Sequence, residues 1–192
     1  LTANGFKKVY DGQSYELQTL NVTVGDKTFA MEKGKDFTLE RQGADKGKVI
    51  KDAGVYTFTV KFTDAALYIP AHITFTVLQR PMYMAFNVPT QIETLAPIAI
   101  QADHLMPEAQ KGDRGLVKGE APLAVAKGQF LFGKPNAENK CAVTVSDFAL
   151  AKTGKFNPAN YRLQIWDAEK GKYVDYKGGD ITIIDPENPD PN

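Results

Sequence analysis

The stretch Gly54-Val-Tyr-Thr-Phe-Thr-Val-Lys-Phe-Thr63 decides the fold of this chain. Large apolar side chains occupy every second position in it, namely Tyr56, Phe58, Val60 and Phe62. Successive side chains of a β-strand point to opposite faces, so this period of two predicts a half-buried antiparallel strand. The residues between these four are then expected to face outward.

Alternation of the same kind recurs along the rest of the chain. It is found at Ile73 to Val77, Val143 to Val145, Leu163 to Ile165 and Ile181 to Ile183. Glycine-bearing turn signals such as Asp11-Gly12 separate these runs. The strongest helix candidate, Leu105 to Lys111, is only one or two turns long. The sequence therefore predicts an all-β fold built from antiparallel sandwiches.

The composition is that of a folded protein without net charge. The chain has 192 residues, 43% of them hydrophobic, and 23 basic residues balance 23 acidic ones. Because the two signs are interspersed, no basic stripe is available for nucleic acid and no polybasic segment for a membrane surface. No run approaches the roughly 18 apolar residues of a membrane-spanning helix. Leu1 to Gly12 lack the apolar core of a signal peptide, so an exported protein would carry its signal segment outside this sequence.

A domain boundary is predicted at Arg80-Pro81. Pro81 has no N–H to donate to a sheet, and a second alternating series starts near Tyr83. We therefore expect two tandem antiparallel immunoglobulin-like β-sandwich domains, at residues 1–80 and 81–186. Residues 187–192 are rich in proline and are expected to form a tail or linker.

Four short motifs follow one another in the first predicted domain. They are Lys8-Val-Tyr-Asp-Gly12, Gly34-Lys-Asp-Phe-Thr38, Lys51-Asp-Ala-Gly-Val-Tyr-Thr57 and Ile73-Thr-Phe-Thr-Val77. Together they resemble the bacterial immunoglobulin-like surface repeats known as YDG or MBG modules, in which a K-x-Y-D-G opening is followed by a D-A-G-x-Y-T strand start. The resemblance covers most of residues 6 to 79.

The second predicted domain resembles the same repeats through other motifs. They are Gly115-Leu-Val-Lys-Gly-Glu120, Gly128-Gln-Phe130, Val143-Thr-Val-Ser-Asp-Phe-Ala-Leu150 and Asn160-Tyr-Arg-Leu163. It departs from the pattern at Glu120, where the repeats prefer Asp, and at Asp147, where they prefer Gly; no Tyr-Asp-Gly opening follows Pro81. The resemblance implies an immunoglobulin-like scaffold of a cell-surface or secreted bacterial protein.

The residues of these motifs suit structural roles. Asp11-Gly12 and Ala53-Gly54 are expected to form turns in which a residue takes a positive φ. Asp11 or Asp52 can accept a hydrogen bond from a backbone N–H two residues on. Tyrosines can bury their rings while their hydroxyls reach a loop backbone, and the candidates are Tyr10, Tyr56, Tyr68 and Tyr161.

The sequence offers few groups for catalysis. A serine nucleophile needs a nearby base, and the chain has only Ser14 and Ser146, with His72 and His104 as bases. The single cysteine, Cys141, could pair with His104, but it precedes an apolar strand and is better explained as a small buried hydrophobe. We therefore expect no enzymatic activity and no catalytic residue.

Signatures of metal and phosphate sites are also missing from the sequence. There is no H-E-x-x-H, no EF-hand loop and no Walker A motif. The local set of possible metal ligands is Asp103, His104, Glu108 and Asp113. A solvated polar loop is the simpler explanation of that set, so no metal and no cofactor are expected.

One predicted hairpin stands out as a candidate binding surface. From Tyr161 to Asp167 the alternation places Leu163 and Ile165 on one face. The residues of the opposite, polar face are Arg162, Gln164 and Trp166. A turn at Ala168 to Gly171 would then fold Lys172 to Tyr176 back beside this strand.

Trp166 is the only tryptophan of the chain. Tyr173 or Tyr176 beside it would form an aromatic platform, which is a common way to grip a sugar or a partner protein. The candidate ligand-binding residues are therefore Arg162, Trp166, Tyr173 and Tyr176. The alternative is that Trp166 packs against the neighbouring domain or against the hairpin's own tyrosines.

The leading functional prediction is a non-enzymatic structural or adhesion module, a stalk or interaction domain, in a bacterial cell-surface or secreted protein. The alternative is a module that binds a glycan or a protein through the hairpin around Trp166, and a hydrolytic enzyme is the third class considered. The expected partners are an extracellular protein or glycan rather than nucleic acid, and the expected state is a monomer within a larger chain.

Overall fold

The computed structural model describes residues 2–3, 6–41, 43, 49–64, 71–89, 96–121 and 124–183. The chain divides into two compact units, Leu1–Gln79 and Arg80–Asn192. The two predicted domains meet one residue further along the chain. The predicted tail at 187–192 and the candidate Tyr68 lie outside the described residues.

The described residues of the first unit form seven strands. They are β1 Thr2–Ala3, β2 Phe6–Val9, β3 Thr19–Val24, β4 Lys27–Glu32, β5 Phe37–Arg41, β6 Gly54–Phe62 and β7 Ala71–Leu78. They form a three-stranded sheet in the order β1-β3-β4 and a four-stranded sheet in the order β2-β7-β6-β5. Neighbouring strands are antiparallel except β2 and β7, which run parallel with Phe6 opposite Phe75 and Val9 opposite Leu78.

Strand β6 contains the decisive stretch of sequence. Val60 is 0% exposed and Phe62 is buried, while Tyr56 and Phe58 are half-buried. Val55, on the other face, is 69% exposed. The predicted alternation of faces is therefore confirmed, with the deepest burial at the end of the strand rather than at its middle.

Both sheets of the first unit contribute to one hydrophobic core. The buried members from β3 and β4 are Leu20, Val22 and Met31, and those from the four-stranded sheet are Phe37, Val60, Phe62 and Ile73. Side chains from two sheets that share one core indicate a sandwich-like packing of the sheets. The period of two in β3, β6 and β7 supplies much of the apolar side of each sheet.

A glycine with positive φ was predicted in two turns of the first unit, and it is found in one of them. Gly12 has a φ of 76°, and Asp11 Oδ1 accepts a hydrogen bond from the Gln13 N–H at 3.0 Å. Gly54, however, has no positive φ, because it already belongs to the extended backbone of β6. In the turn before it, the Tyr56 hydroxyl donates to the Asp52 carbonyl at 2.6 Å.

Eight strands are found in the described part of the second unit. They are β8 Arg80–Phe86, β9 Ile98–Ala99, β10 Leu105–Pro107, β11 Ala124–Pro135, β12 Cys141–Ala151, β13 Tyr161–Asp167, β14 Lys172–Asp175 and β15 Ile181–Ile183. One sheet has the order β10-β8-β13-β14 and the other the order β15-β12-β11-β9. Here the parallel pair is β8 and β13, with Tyr161 opposite Arg80 and Ile165 opposite Met84.

The core of the second unit also joins its two sheets. The ring of Phe86, on β8, meets the rings of Phe130 and Phe148 edge-on, at centroid distances of 6.3 and 5.3 Å. Met82 and Met84 are buried beside it. Cys141 is fully buried as well, so its predicted role as a small core residue is confirmed.

The all-β prediction is confirmed, and Leu105 to Lys111, the strongest helix candidate of the sequence, does not form a helix. Leu105 to Pro107 form β10, and the helical segments among the described residues are two single 3-10 turns, Ala102–His104 and Pro158–Asn160. Leu105 lies opposite Phe86 and is buried. A helix of one or two turns is too short to be stable alone. The burial of Leu105 and the hydrogen bonds of β10 to the edge of β8 therefore favour the strand.

Candidate ligand-binding surface around Trp166

The outer face of the sheet β10-β8-β13-β14 carries the predicted binding hairpin. Leu163 and Ile165 lie opposite the buried Met82 and Met84 of β8, so they belong to the inner face. The outward residues of β13 are Arg162, Gln164 and Trp166, and their cross-strand neighbours include Tyr173 and Asp175. The predicted turn at 168–171 is confirmed, since Asp167 and Lys172 close the hairpin opposite each other.

Trp166 and Tyr173 do come together. Their ring centroids are 5.4 Å apart and their planes make an angle of 72°, an edge-on contact. Tyr173 also stacks on Tyr83 of β8, with centroids 3.6 Å apart and planes within 4°. Aromatic pairs of both geometries are favourable. The outer face therefore carries a row of three aromatic rings that crosses three strands.

Arg114 extends this row at its far end. Its guanidinium carbon lies 4.2 Å from the centroid of the Tyr83 ring, and Nη1 donates to the Tyr83 hydroxyl at 3.1 Å. Since Tyr173 occupies one face of Tyr83, the guanidinium must cover the other. Both faces of Tyr83 are thus taken by the chain itself, and a sugar ring has no free face to stack on there.

Glu108 fixes the position of Arg114. Its Oε1 accepts from Arg114 Nε at 2.9 Å and lies 2.7 Å from Nη2. This hydrogen bond raises the pKa of Arg114, which is a cation at any accessible pH. Glu108 Oε2 is buried and has no hydrogen-bond partner in the part of the chain that the structure describes.

The backbone that carries Arg114 is held from beneath by Arg80. This buried guanidinium donates from Nε to the Gly115 carbonyl at 2.7 Å and from Nη2 to the Arg114 carbonyl at 2.8 Å. It also bonds the Gly112 carbonyl. Gly115 has a φ of 83°, and a Cβ there would lie 2.1 Å from the Ala109 carbonyl oxygen, so only glycine fits.

Of the other predicted site residues, Arg162 lies on this face and Tyr176 does not join the row. Arg162 Nε is 3.4 Å from Asp175 Oδ1, an ion pair at the surface. The Tyr176 ring stacks on Phe148 with centroids 4.5 Å apart. Its hydroxyl accepts from the Phe148 N–H at 3.1 Å and donates to the Gly179 carbonyl at 3.0 Å. Burial raises the pKa of Tyr176, and its role is to hold a loop.

Tyr161 holds a second loop in the same way. Its hydroxyl accepts from the Val117 N–H at 3.0 Å and donates to Glu120 Oε2 at 2.5 Å. The ring is buried and stacks on Phe156. The loop-anchoring role predicted for Tyr161 is therefore confirmed.

The groups considered for catalysis or metal binding have structural neighbours. The His104 ring packs edge-on against Phe130, and its Nδ1 accepts from the Gln101 N–H at 3.1 Å. Ser146 lies within β12, opposite Gln129. Within the described ranges, no three His, Cys, Asp or Glu side chains are grouped closely enough to hold a metal ion.

Sequence reasoning missed Tyr83 and Arg114, and it considered Glu108 only as a possible metal ligand. The outward direction of Tyr83 is readable, since it alternates with Met82 and Met84. Its contact with Tyr173 depends on the parallel pairing of β8 with β13, and no local sequence pattern indicates that pairing. Arg114 and Glu108 lie outside the regular strands, where period two gives no information.

Comparison with protein-family models, with curated proteins and with solved structures gave no match for this chain. The resemblance to YDG or MBG repeats therefore stays a prediction that rests on its motifs. None of the helical segments in the described ranges is long and apolar enough to cross a membrane.

Proposed function

We propose that this chain is a non-enzymatic structural or adhesion module of a bacterial cell-surface or secreted protein, made of two immunoglobulin-like domains and acting as a stalk or interaction element. The observation that carries the proposal is the parallel pairing of β2 with β7 in the first unit. A spacer has to withstand tension between the points where the chain enters and leaves it.

The parallel pair suits that task. The chain enters the pair at Phe6 and leaves it at Leu78, and parallel strands place these two points at opposite ends of the ladder. Tension between the ends of the unit therefore acts along the strands and strains the hydrogen bonds between β2 and β7 together. In an antiparallel hairpin pulled from its open end, by contrast, the bonds would break one after another.

The test is single-molecule pulling of the full chain by its two ends. The unfolding peak of the first unit is recognised by its gain in length, at most about 3.6 Å for each released residue. Lys7→Pro removes a backbone donor from β2, and we expect it to lower the force of that peak. The matched control is Lys27→Pro in β4, an edge strand outside the path of tension, which should leave the force unchanged. Equal forces for the two variants would contradict the stalk role.

The second candidate function is binding of a glycan or a protein through the Trp166 hairpin. The observation in its favour is the contact between Trp166 and Tyr173 on an outer sheet face, next to Gln164, whose side chain donates to Asp175 at 3.0 Å. Aromatic side chains are enriched at the cores of protein interfaces. Binding on a glycan array that disappears in Trp166→Ala would favour this candidate over a purely structural role.

A further inference from the structure

The outer face of the sheet β10-β8-β13-β14 carries a line of apolar side chains next to its aromatic row. Ala85 of β8 lies opposite Met106 of β10. On its other side it lies beside Trp166, because the two residues that precede them, Met84 and Ile165, are paired. One small side chain is thus flanked by two large ones, each about 4.8 Å away across the sheet. Met106 is 42% exposed and Ala85 and Trp166 are half-buried, so another molecule can reach this line.

The line Met106-Ala85-Trp166 is complementary to a second copy of itself. A two-fold axis that runs along β8, between two such faces and above Ala85, places Met106 of each copy against Trp166 of the other. Ala85 meets its own counterpart on the axis, where its small side chain allows the two sheets to approach. Methionine sulfur makes favourable contacts with aromatic rings, and this arrangement forms two such contacts.

The charges of this face fit the same axis. On the side of β10 the face carries the ion pair of Arg114 with Glu108, and on the side of β14 it carries the pair of Arg162 with Asp175. The rotation exchanges these two sides, so that each ion pair lies over the other kind of pair in the second copy. Each guanidinium can then approach a carboxylate of the other copy, as complementary surfaces require.

The size of the face determines the strength of this contact. Strands β8 and β13 have seven residues each and are flanked by the shorter β10 and β14. From the rise along a strand and the spacing between strands, such a face covers roughly 400 Å². A stable dimer buries roughly 800 Å² on each partner. This face alone therefore supports weak, reversible association rather than a permanent dimer.

We propose that this face binds a second copy of the same chain, with Ala85 on the two-fold axis and Met106 packed against Trp166 of the other copy. This inference rests on the proposed interaction role of the Trp166 hairpin and names its partner. The monomer expected from the sequence is then the state of the dilute chain, and pairing occurs where many copies are held close together. The stalk role does not depend on this pairing, since it is measured on single molecules.

Sedimentation velocity of the full chain measures this association. We expect the sedimentation coefficient to rise with concentration between about 10 μM and 1 mM, as it does for a dimer whose Kd lies in that range. Ala85→Arg places two guanidinium groups against each other on the axis, and it should raise the Kd roughly tenfold or more. Thr57→Arg, the matched change at an exposed position of β6 in the first unit, should leave the Kd unchanged.

Cross-linking tests the position of the axis. Ala85→Cys should be joined to its own copy by a short bis-maleimide, because the two thiols face each other across the axis, whereas Thr57→Cys should give only background. The natural Cys141 is buried and is present in both variants.

The proposal is overturned if the wild-type chain sediments as a monomer at every concentration, if Ala85→Arg associates like wild type, or if the two cysteine variants cross-link equally. Glycan binding that disappears in Trp166→Ala, found in a chain that stays monomeric throughout, would overturn the pairing and leave the hairpin as a glycan site.

Discussion

Arg80 illustrates how a single residue can organise a loop. Its guanidinium is buried, which is costly for a charge, and the carbonyls of Gly112, Arg114 and Gly115 surround it in place of water. Through these bonds a residue of β8 fixes the backbone that presents Arg114 to Tyr83. The outer aromatic row therefore depends on an arginine that no ligand would touch.

Two glycines near this loop should respond very differently to the same substitution. Gly115 and Gly119 both have a left-handed φ, at 83° and 91°, but a Cβ at Gly119 would meet nothing within 4 Å. Gly119→Ala should therefore cost only the conformational strain, about 1–2 kcal/mol. Gly115→Ala adds a clash with the Ala109 carbonyl and should cost more than about 3 kcal/mol. Urea unfolding followed by tryptophan fluorescence measures both, and equal midpoints would show that the loop is placed wrongly.

A surface carboxylate provides a pH-dependent prediction. The hydrogen bond from Lys127 Nζ to Asp147 Oδ2, at 2.8 Å, lowers the pKa of Asp147, and the Gly179 N–H adds to this effect. A lowered pKa means that the folded state gains stability above the unfolded-state pKa of about 3.9 and loses it as the pH falls through the folded-state value. Asp147→Asn should therefore unfold at lower urea concentration than wild type near neutral pH. The difference should vanish in strong acid, and a difference independent of pH would contradict the assignment.

At the scale of the strand, two valines of β6 allow a matched comparison of its buried and exposed faces. Val60 and Val55 have the same side chain in the same strand, but Val60 is fully buried in the core and Val55 is 69% exposed. Val60→Ala should lower the free energy of unfolding by about 2–3 kcal/mol, whereas Val55→Ala should change it by less than about 0.5 kcal/mol. Scanning calorimetry compares the two, and similar melting temperatures would mean that the faces of β6 are reversed.

Strand faces were the part of the fold that the sequence predicted best, because the period of two is a local signal. It identified the core side of β6 and the hairpin that brings Tyr173 beside Trp166. It did not rank the four apolar residues of that face: Phe58 is only half-buried and Val60 lies deeper, because depth depends on what the second sheet places above each residue. The two- and three-residue strands β9 and β10 are too short to carry a period at all.

Pairings between distant strands were beyond prediction. Tyr83 meets Tyr173 because β8 runs parallel to β13, and these strands are separated by most of the second unit. Parallel strands need a long connection, and its length leaves no turn signature that would identify the partner. The sequence therefore predicted the part of the candidate site that lies on the hairpin of β13 and β14. The contributions of β8 and of the loop with Arg114 are found only in the structure.

At the scale of the whole molecule, the chain consists of two units that each have their own buried side chains. We expect the separate fragments Leu1–Gln79 and Arg80–Asn192 each to show a strand-rich circular dichroism spectrum and a cooperative thermal transition. The reason is that a domain with its own hydrophobic core can fold without the rest of the chain. Val60→Ala should lower the melting temperature of the first fragment. A fragment that melts without cooperativity would mean that its core is incomplete.

The parallel pair of the first unit also has a consequence for the timing of folding. Phe6 finds its partner Phe75 only after nearly the whole unit has been made, which at roughly 5–20 residues per second takes several seconds of synthesis. Until then β2 has no place in a sheet, and the final closure has to overcome the entropy of a long loop. The first unit should therefore stay open on the ribosome until β7 has emerged, and a chain halted before Ala71 should remain sensitive to protease.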